Sequence, residues 1–276
     1  MRQCFSIGLF ALLVLSLPGC GGFRDTKPQL PGNLDTLCMP DYASGFEMYR
    51  YDSSTLLRIV NPWQGADSVS QWVFLSRDDE KPPKGFAGET IDVPVRRIVC
   101  MSSSYVAFLE ALGADSTICA ISGTGYIWSD KVRNRIAGGE IAEAGFDNSL
   151  NFEKLVALKP DVVFLYGLTG KNAVTDKLHE LGLKTVYIGD YVENNPLGRA
   201  EWITVFGEFT GRRELARTLF DSISNEYNRA KALVSGVEKR PEVMLNAPWQ
   251  DSWFVPGDRS YMVRLLEDAG GNYACP

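Results

Sequence analysis

The sequence predicts an α/β fold: a parallel sheet covered on both faces, then a long helix, then the start of a second α/β lobe. Three observations predict it. From Arg96 onward, apolar runs of four or five residues alternate with helical stretches, the rhythm of strands buried on both faces. Between Pro196 and Ser235 apolar residues recur at steps of three and four, as one face of a helix requires. After Gly236 the strand–helix rhythm resumes.

The chain opens with Arg2, an uncharged apolar run from Phe5 to Leu17, and Leu17-Pro18-Gly19-Cys20. A run of about thirteen residues is too short to span a bilayer and suits an export signal. In an ordinary signal Cys20 would be incidental. Residues 1–19 are also similar to a bacterial lipoprotein signal, which implies lipidation of Cys20, although Pro18 is an uncommon choice in that motif. Acyl chains would hold the chain on a membrane, each buried methylene adding ~0.8 kcal/mol. Residues 20–33, rich in Gly and Pro, read as a flexible tether.

Without residues 1–19 the chain has 257 residues and a net charge of −7. That balance argues against nucleic acid as a partner. With 45% hydrophobic residues it can bury a sizeable core, and no other stretch approaches a membrane span. Cys100 and Cys119 lie in strand-like runs and read as buried, unpaired thiols, packing as small hydrophobes. A disulfide among Cys38, Cys100, Cys119 and Cys275 stays open, because spacing does not establish one. His179 is the sole histidine and reads as a surface residue, so no imidazole-based metal site is expected.

Residues 34–95 carry the strand-like segments Phe46–Tyr51, Leu56–Val60 and Trp72–Ser76. They are broken by Asn61-Pro62, Gly65 and a Pro-rich stretch near residue 82, and read as an antiparallel group at the edge of a larger lobe spanning 34–195. Within that lobe, strands are expected at 97–101, 118–121, 162–166 and 185–188, and helices at 106–112, 151–158 and 172–181. One helix is expected over 196–235, with Pro196 at its first turn, Gly236 at its stop, and Gly207 and Gly211 as candidate bends. At ~1.5 Å per residue it would reach about 60 Å and could connect two lobes. Residues 236–276 then supply strands at 242–245 and 253–255 and a helix at 261–269. That is too little for a self-supporting second lobe, so an incomplete lobe or a truncated chain is expected.

The segment Asn151-Phe152-Glu153-Lys154-Leu155-Val156-Ala157-Leu158-Lys159-Pro160-Asp161-Val162-Val163 resembles the hallmark of periplasmic binding proteins for iron siderophores, haem and vitamin B12. Arg97-Ile98-Val99 followed by Glu110-Ala111-Leu112-Gly113-Ala114, and Leu181-Gly182-Leu183-Lys184-Thr185-Val186-Tyr187, extend the resemblance. It implies two Rossmann-like lobes joined by a rigid spanning helix, with ligand in the cleft between them. In that family a glutamate at the Glu153 position docks on arginines of the membrane permease. From its position alone, Glu153 is a helix-start charge favoured by the dipole. The matching glutamate of a second lobe is not found before Pro276.

Open α/β sheets bind ligands beyond the carboxyl ends of their strands. The candidate contacts are therefore Ser103, Ser104 and Tyr105; Tyr126 and Trp128; Phe146; Tyr166; and Tyr191 in the first lobe, with Trp249, Trp253, Phe254, Arg259 and Tyr261 in the second. Aromatics offer stiff apolar faces on which a macrocycle or aromatic chelate would stack. Tyr166 and Phe254 match cobalamin-contacting positions of the resembling family. Core packing is the alternative for all these aromatics, and it is the expectation for Trp202 and Phe206. Ser102-Ser103-Ser104 could cap a helix or meet an anionic ligand group there. Arg259 could hold a carboxylate or phosphate bidentately or stand in solvent.

No dinucleotide, Walker or nucleophile-elbow pattern occurs, and a triad lacks a second histidine. The expectation is a monomeric, exported, lipid-anchored binding protein without a cofactor, which captures an iron chelate, haem or cobalamin for an ABC permease. The alternative is an exported α/β lipoprotein enzyme, a hydrolase or chelatase, with a carboxylate-lined cleft. Its nearest carboxylates are Asp130, Glu140 and Glu143, which read as a solvated face.

Overall fold

A computed structural model describes residues 34–146, 149–167 and 173–275. The expected signal, the tether and Cys20 lie outside these residues.

Five strands form the first sheet, in the order β1 (Asp35–Cys38), β2 (Phe46–Tyr51), β3 (Ser54–Val60), β4 (Ser70–Ser76) and β5 (Glu89–Asp92). A two-residue turn joins β2 to β3, with Asp52 at a left-handed φ of 47°, a conformation aspartate tolerates. β1 to β4 pair antiparallel, and β5 joins β4 in parallel. The group is thus larger than the three expected strands and mixed at one edge. All seven residues of β4 are buried, so both of its faces are covered.

The second sheet is parallel throughout, in the order β10-β9-β6-β7-β8. Its strands are β6 (Ile98–Cys100), β7 (Ile118–Ile121), β8 (Ala142–Glu143), β9 (Val162–Leu165) and β10 (Thr185–Tyr187). The helices between them are α1 (Ser103–Ala111), α2 (Asp130–Ala137), α3 (Phe152–Leu158) and α4 (Ala173–Glu180). The chain runs outward from β6 through β7 to β8, then returns to the other side of β6 at β9. That reversal makes β6 and β9 the topological switch point, where a crevice opens at the carboxyl edge. Local chemistry sets the helix ends. Asn151 caps α3 by accepting from Lys154 N–H at 2.9 Å, and Lys159 turns left-handed ahead of Pro160.

The two sheets share one core, in which Leu57, Val73 and Ile91 of the first pack with Ile98, Phe164 and Val186 of the second. Gln71 of β4 bridges them. Its amide donates to the Thr185 carbonyl at 2.8 Å and accepts from Tyr187 N–H at 2.9 Å, taking the place of a neighbouring strand's backbone at β10. Three buried carboxylates fasten the N-terminal sheet further. Glu193 accepts N–H groups of Ser44 and Gly45 together with the Trp202 indole. Glu201 accepts from Asp41, Tyr42 and Ala43, and Glu208 receives Thr55, Arg77 and Arg213. Each charge is satisfied by several donors, the condition on which a buried carboxylate is tolerated.

The helical stretch from Pro196 forms three pieces, α5 (Pro196–Glu201), α6 (Ile203–Thr210) and α7 (Arg213–Leu233). The long helix therefore begins at Arg213 rather than Pro196, and its 21 residues reach about 32 Å. Gly211 causes the break, with a left-handed φ of 68°, which ends α6 and lets it fold against α7. At Gly207 a Cβ would stand 2.5 Å from the Ala216 Cβ, so the absent side chain permits that close approach. Trp202 and Phe206 are fully buried packing residues.

After α7 the chain forms β11 (Glu242–Val243), α8 (Tyr261–Asp268) and β12 (Asn272–Tyr273), with β11 and β12 paired in parallel. The strand expected at Trp253–Val255 is absent, and those residues are irregular; their apolar run finds no partner strand. α8 is tied to α7 by Tyr227 and Lys231, both on Asp268 at 2.9 and 2.8 Å. Cys38, Cys100, Cys119 and Cys275 are free thiols, and burial pushes the Cys100 thiol far up from its ordinary range.

Candidate functional site

The candidate residues of the first lobe follow the strands of the second sheet, along its carboxyl edge. At the switch point, Ser102 caps α1 and hydrogen-bonds the Ser104 hydroxyl at 3.0 Å. Ser103 is exposed. Ser104 also hydrogen-bonds Asp190, just beyond β10. Burial pushes the Asp190 carboxyl up to about 6, and the Ser104 hydrogen bond and the attraction of Arg199 only partly oppose it. Sequence reading missed Asp190, because one buried aspartate after a strand has no distinctive neighbours.

Tyr105 is corrected. It is fully buried, its hydroxyl donating to the carbonyls of Leu165 and Ile188 at 3.2 and 3.3 Å. Its ring packs on Phe164 and Phe206, so it supports the floor of the site and offers no face to a ligand. Its place with Val106, Leu109 and Leu112 on one helix face was the available signal.

Beyond β7 and β8 the aromatics stand open. Tyr126 is 71% exposed, Trp128 90% and Phe146 48%. Gly123, at φ 75°, lets Tyr126 and Phe146 close around it; a Cβ there would meet their rings at 2.9 and 3.3 Å. Glu143 fixes this turn by accepting from Gly123, Thr124 and Gly145. Desolvation alone would raise its carboxyl, but those hydrogen bonds outweigh it and hold the group below its ordinary range. Glu143 is thus a structural clamp. Asp130 and Glu140 pair with Arg133 and Arg135 at the surface.

Beyond β9 and β10 the edge is covered. Tyr166 is half-buried between the two cores of the lobe. The Tyr191 hydroxyl donates to the Gly167 carbonyl and accepts from Gln64 N–H. Gln64 belongs to the β3–β4 loop, whose Trp63 packs edge-on against Tyr187 with centroids 5.2 Å apart. Gly167 accommodates the indole, since a Cβ there would lie 2.8 Å from it. This contribution from the N-terminal sheet was not legible in the sequence, because the contacts join residues more than 100 positions apart.

A cavity of about 710 Å³ opens between that loop, the end of the first lobe and the start of the second. Tyr191 and Tyr261 both line it, with Arg199 between lobes. The Arg199 guanidinium lies 3.9 Å from the Tyr261 ring centre, and donates to the carbonyls of Tyr191 and Glu193 at 2.7 and 3.2 Å. Arg199 was missed because it reads as one more charge in an amphipathic helix. Arg259 lies outside this cavity, exposed in a hollow with Asn194 and Glu267. Trp249 and Phe254 are 73% and 77% exposed, and Trp253 is half-buried with its indole N–H unpartnered.

Glu153 is exposed in the first turn of α3, beside a shallow hollow formed by Phe152, Val156 and Leu181. Among the described residues no cluster of His, Cys, Asp or Glu could hold a metal ion, and no helix is long and apolar enough to cross a membrane. His179 is half-buried, its Nε2 2.7 Å from Thr185 Oγ1.

Residues 98–276, the parallel sheet and everything after it, match the model of the periplasmic binding protein family. The chain belongs to that family. Its members are binding proteins, not enzymes. The lipoproteins MJ0878 and MJ0872 of Methanocaldococcus jannaschii are each 27% identical to it. The alignments cover 99% and 90% of this chain and 73% and 63% of those proteins. Among solved structures, a periplasmic solute-binding protein of Staphylococcus epidermidis is similar at 22% identity and a TM-score of 0.53, over 65% of this chain and 67% of that one. The periplasmic haem-binding protein HutB of Vibrio cholerae is similar at 20% identity and a TM-score of 0.52, over 64% and 65%. The chain thus spans about two thirds of the length of those structures, and the likeness is one of fold. The N-terminal sheet, residues 34–95, precedes the family match.

Proposed function

We propose that this periplasmic binding protein is the substrate-binding component of an ABC uptake transporter, capturing an iron chelate, haem or cobalamin at the carboxyl edge of its sheet. The observation that carries the reading is the row of exposed Tyr126, Trp128 and Phe146. A folded chain otherwise buries such side chains, and an exposed group of them beyond β7 and β8 suits a ligand with large flat faces. The haem-binding relative of the same fold supports the ligand class. Glu153, free of any ion pair among the described residues and next to an apolar hollow, suits docking on a permease, where an exposed charge contributes orientation more than affinity. Lipidation at Cys20 would keep the protein beside that permease.

Native mass spectrometry of the full chain with haemin, cyanocobalamin and a panel of ferric siderophores tests the reading. A one-to-one complex with one of them is expected. Absence of any adduct across the panel would remove the ligand class.

A further inference from the structure

We infer that the cavity between the β3–β4 loop and Arg199 is a subsite for an oxyanion group of the ligand, and that the N-terminal sheet supplies one of its walls. The inference deepens the proposed binding role and rests on it for the identity of the whole ligand. Three separate parts of the chain build the cavity: Trp63 and Gln64 from the N-terminal sheet, Tyr191 and Arg199 from the end of the first lobe, and Tyr261 from the second. At about 710 Å³ it falls within the ~300–1,000 Å³ typical of small-molecule sites.

Arg199 is the sole lysine or arginine among its lining residues. The guanidinium is held in place from two sides. Nε and one Nη2 hydrogen donate to backbone carbonyls, and the Tyr261 ring covers one face. Asp190 is near enough to feel its charge, but among the described residues Arg199 forms no ion pair, and its side-chain hydrogen bonds there use Nε and Nη2. A fixed guanidinium with free donors presents the fork that a carboxylate or phosphate accepts bidentately. With no aspartate or glutamate among the lining residues, its positive charge favours an anion over a neutral group.

The remaining walls fit the same ligand. Trp63 and Tyr191 bring apolar faces beside the cation, suited to a carboxylate carried on an organic body. The loop is fixed, not merely adjacent. Trp63 bridges to Gly167 and packs on Tyr187, while Gln64 N–H is held by the Tyr191 hydroxyl. Gln64 itself is exposed, so its side chain can change without loss of core.

The test is calorimetric titration of the full chain with citrate, and separately with inorganic phosphate, for wild type, Arg199→Met and Gln64→Glu. Wild type is expected to bind citrate, with phosphate binding as well if the subsite accepts any oxyanion. Both variants should weaken binding at least tenfold, Gln64→Glu by placing a negative charge on the wall contributed by the N-terminal sheet. Melting temperatures are compared first; should Arg199→Met unfold, Gln64→Glu and Arg199→Lys carry the test. Failure of wild type to bind either anion, or affinity unchanged in Gln64→Glu and in the folded arginine variant, overturns the subsite. These outcomes are independent of the chelate panel. Citrate binding with no chelate bound would remove the proposed ligand class and keep the subsite, and the reverse result would do the opposite.

Discussion

The Glu201 carboxylate accepts the backbone N–H of Ala43 at 2.8 Å, across 158 residues of chain. It accepts from Asp41 and Tyr42 at the same distance, so one buried side chain satisfies three successive amides. Glu201→Gln turns a donor toward donors and orphans at least one of them. The expected loss is about 1–3 kcal/mol of folding stability, read as a lower urea midpoint at unchanged slope.

Asp190 makes stability depend on pH. Its carboxyl titrates at about 6 in the folded chain, above the ordinary 3.8, because burial disfavours the charge. The folded state then holds its proton more tightly than the unfolded state. Stability from this group is therefore retained below pH 4, and is lost as pH rises from about 4 through about 6. Roughly two pK units correspond to about 3 kcal/mol. Asp190→Asn should be more stable than wild type at pH 7.5 and equal to it near pH 4, in urea titrations at both values.

Gly207→Ala decides between two opposing effects. Alanine in a helix interior gains about 1 kcal/mol over glycine. Here the new Cβ would lie 2.5 Å from that of Ala216, forcing α6 and α7 apart, and overpacking of that kind costs about 1–3 kcal/mol. A net destabilisation is expected, seen as a lower melting temperature.

The parts of the fold made of local pattern were legible. Ile118–Ile121 is a strand at the expected residues, because four consecutive apolar side chains between turns leave little alternative. The α3 segment is legible through Asn151 and Pro160, which chemically mark its ends. Contacts made over long separations were not. Trp63 on Tyr187 and Arg199 on Tyr261 depend on how elements dock, and neither side chain has a local signature. Trp253–Val255 misled for the related reason that an apolar run becomes a strand only if a partner is present.

Glu153→Ala tests docking. Stability should change by less than about 0.5 kcal/mol, since the side chain is exposed. Ligand affinity should match wild type while uptake in vesicles carrying the transporter falls. Unchanged uptake would remove the docking role.

The most direct test of the account is tryptophan fluorescence of the full chain titrated with haemin, cyanocobalamin and ferric siderophores, compared with Trp128→Ala and Tyr126→Ala. Saturable quenching by one member of the panel is expected, weakened at least tenfold in both variants, since a flat-faced ligand would stack on those rings. Affinity unchanged in both variants, or no saturable quenching by any member, would contradict it.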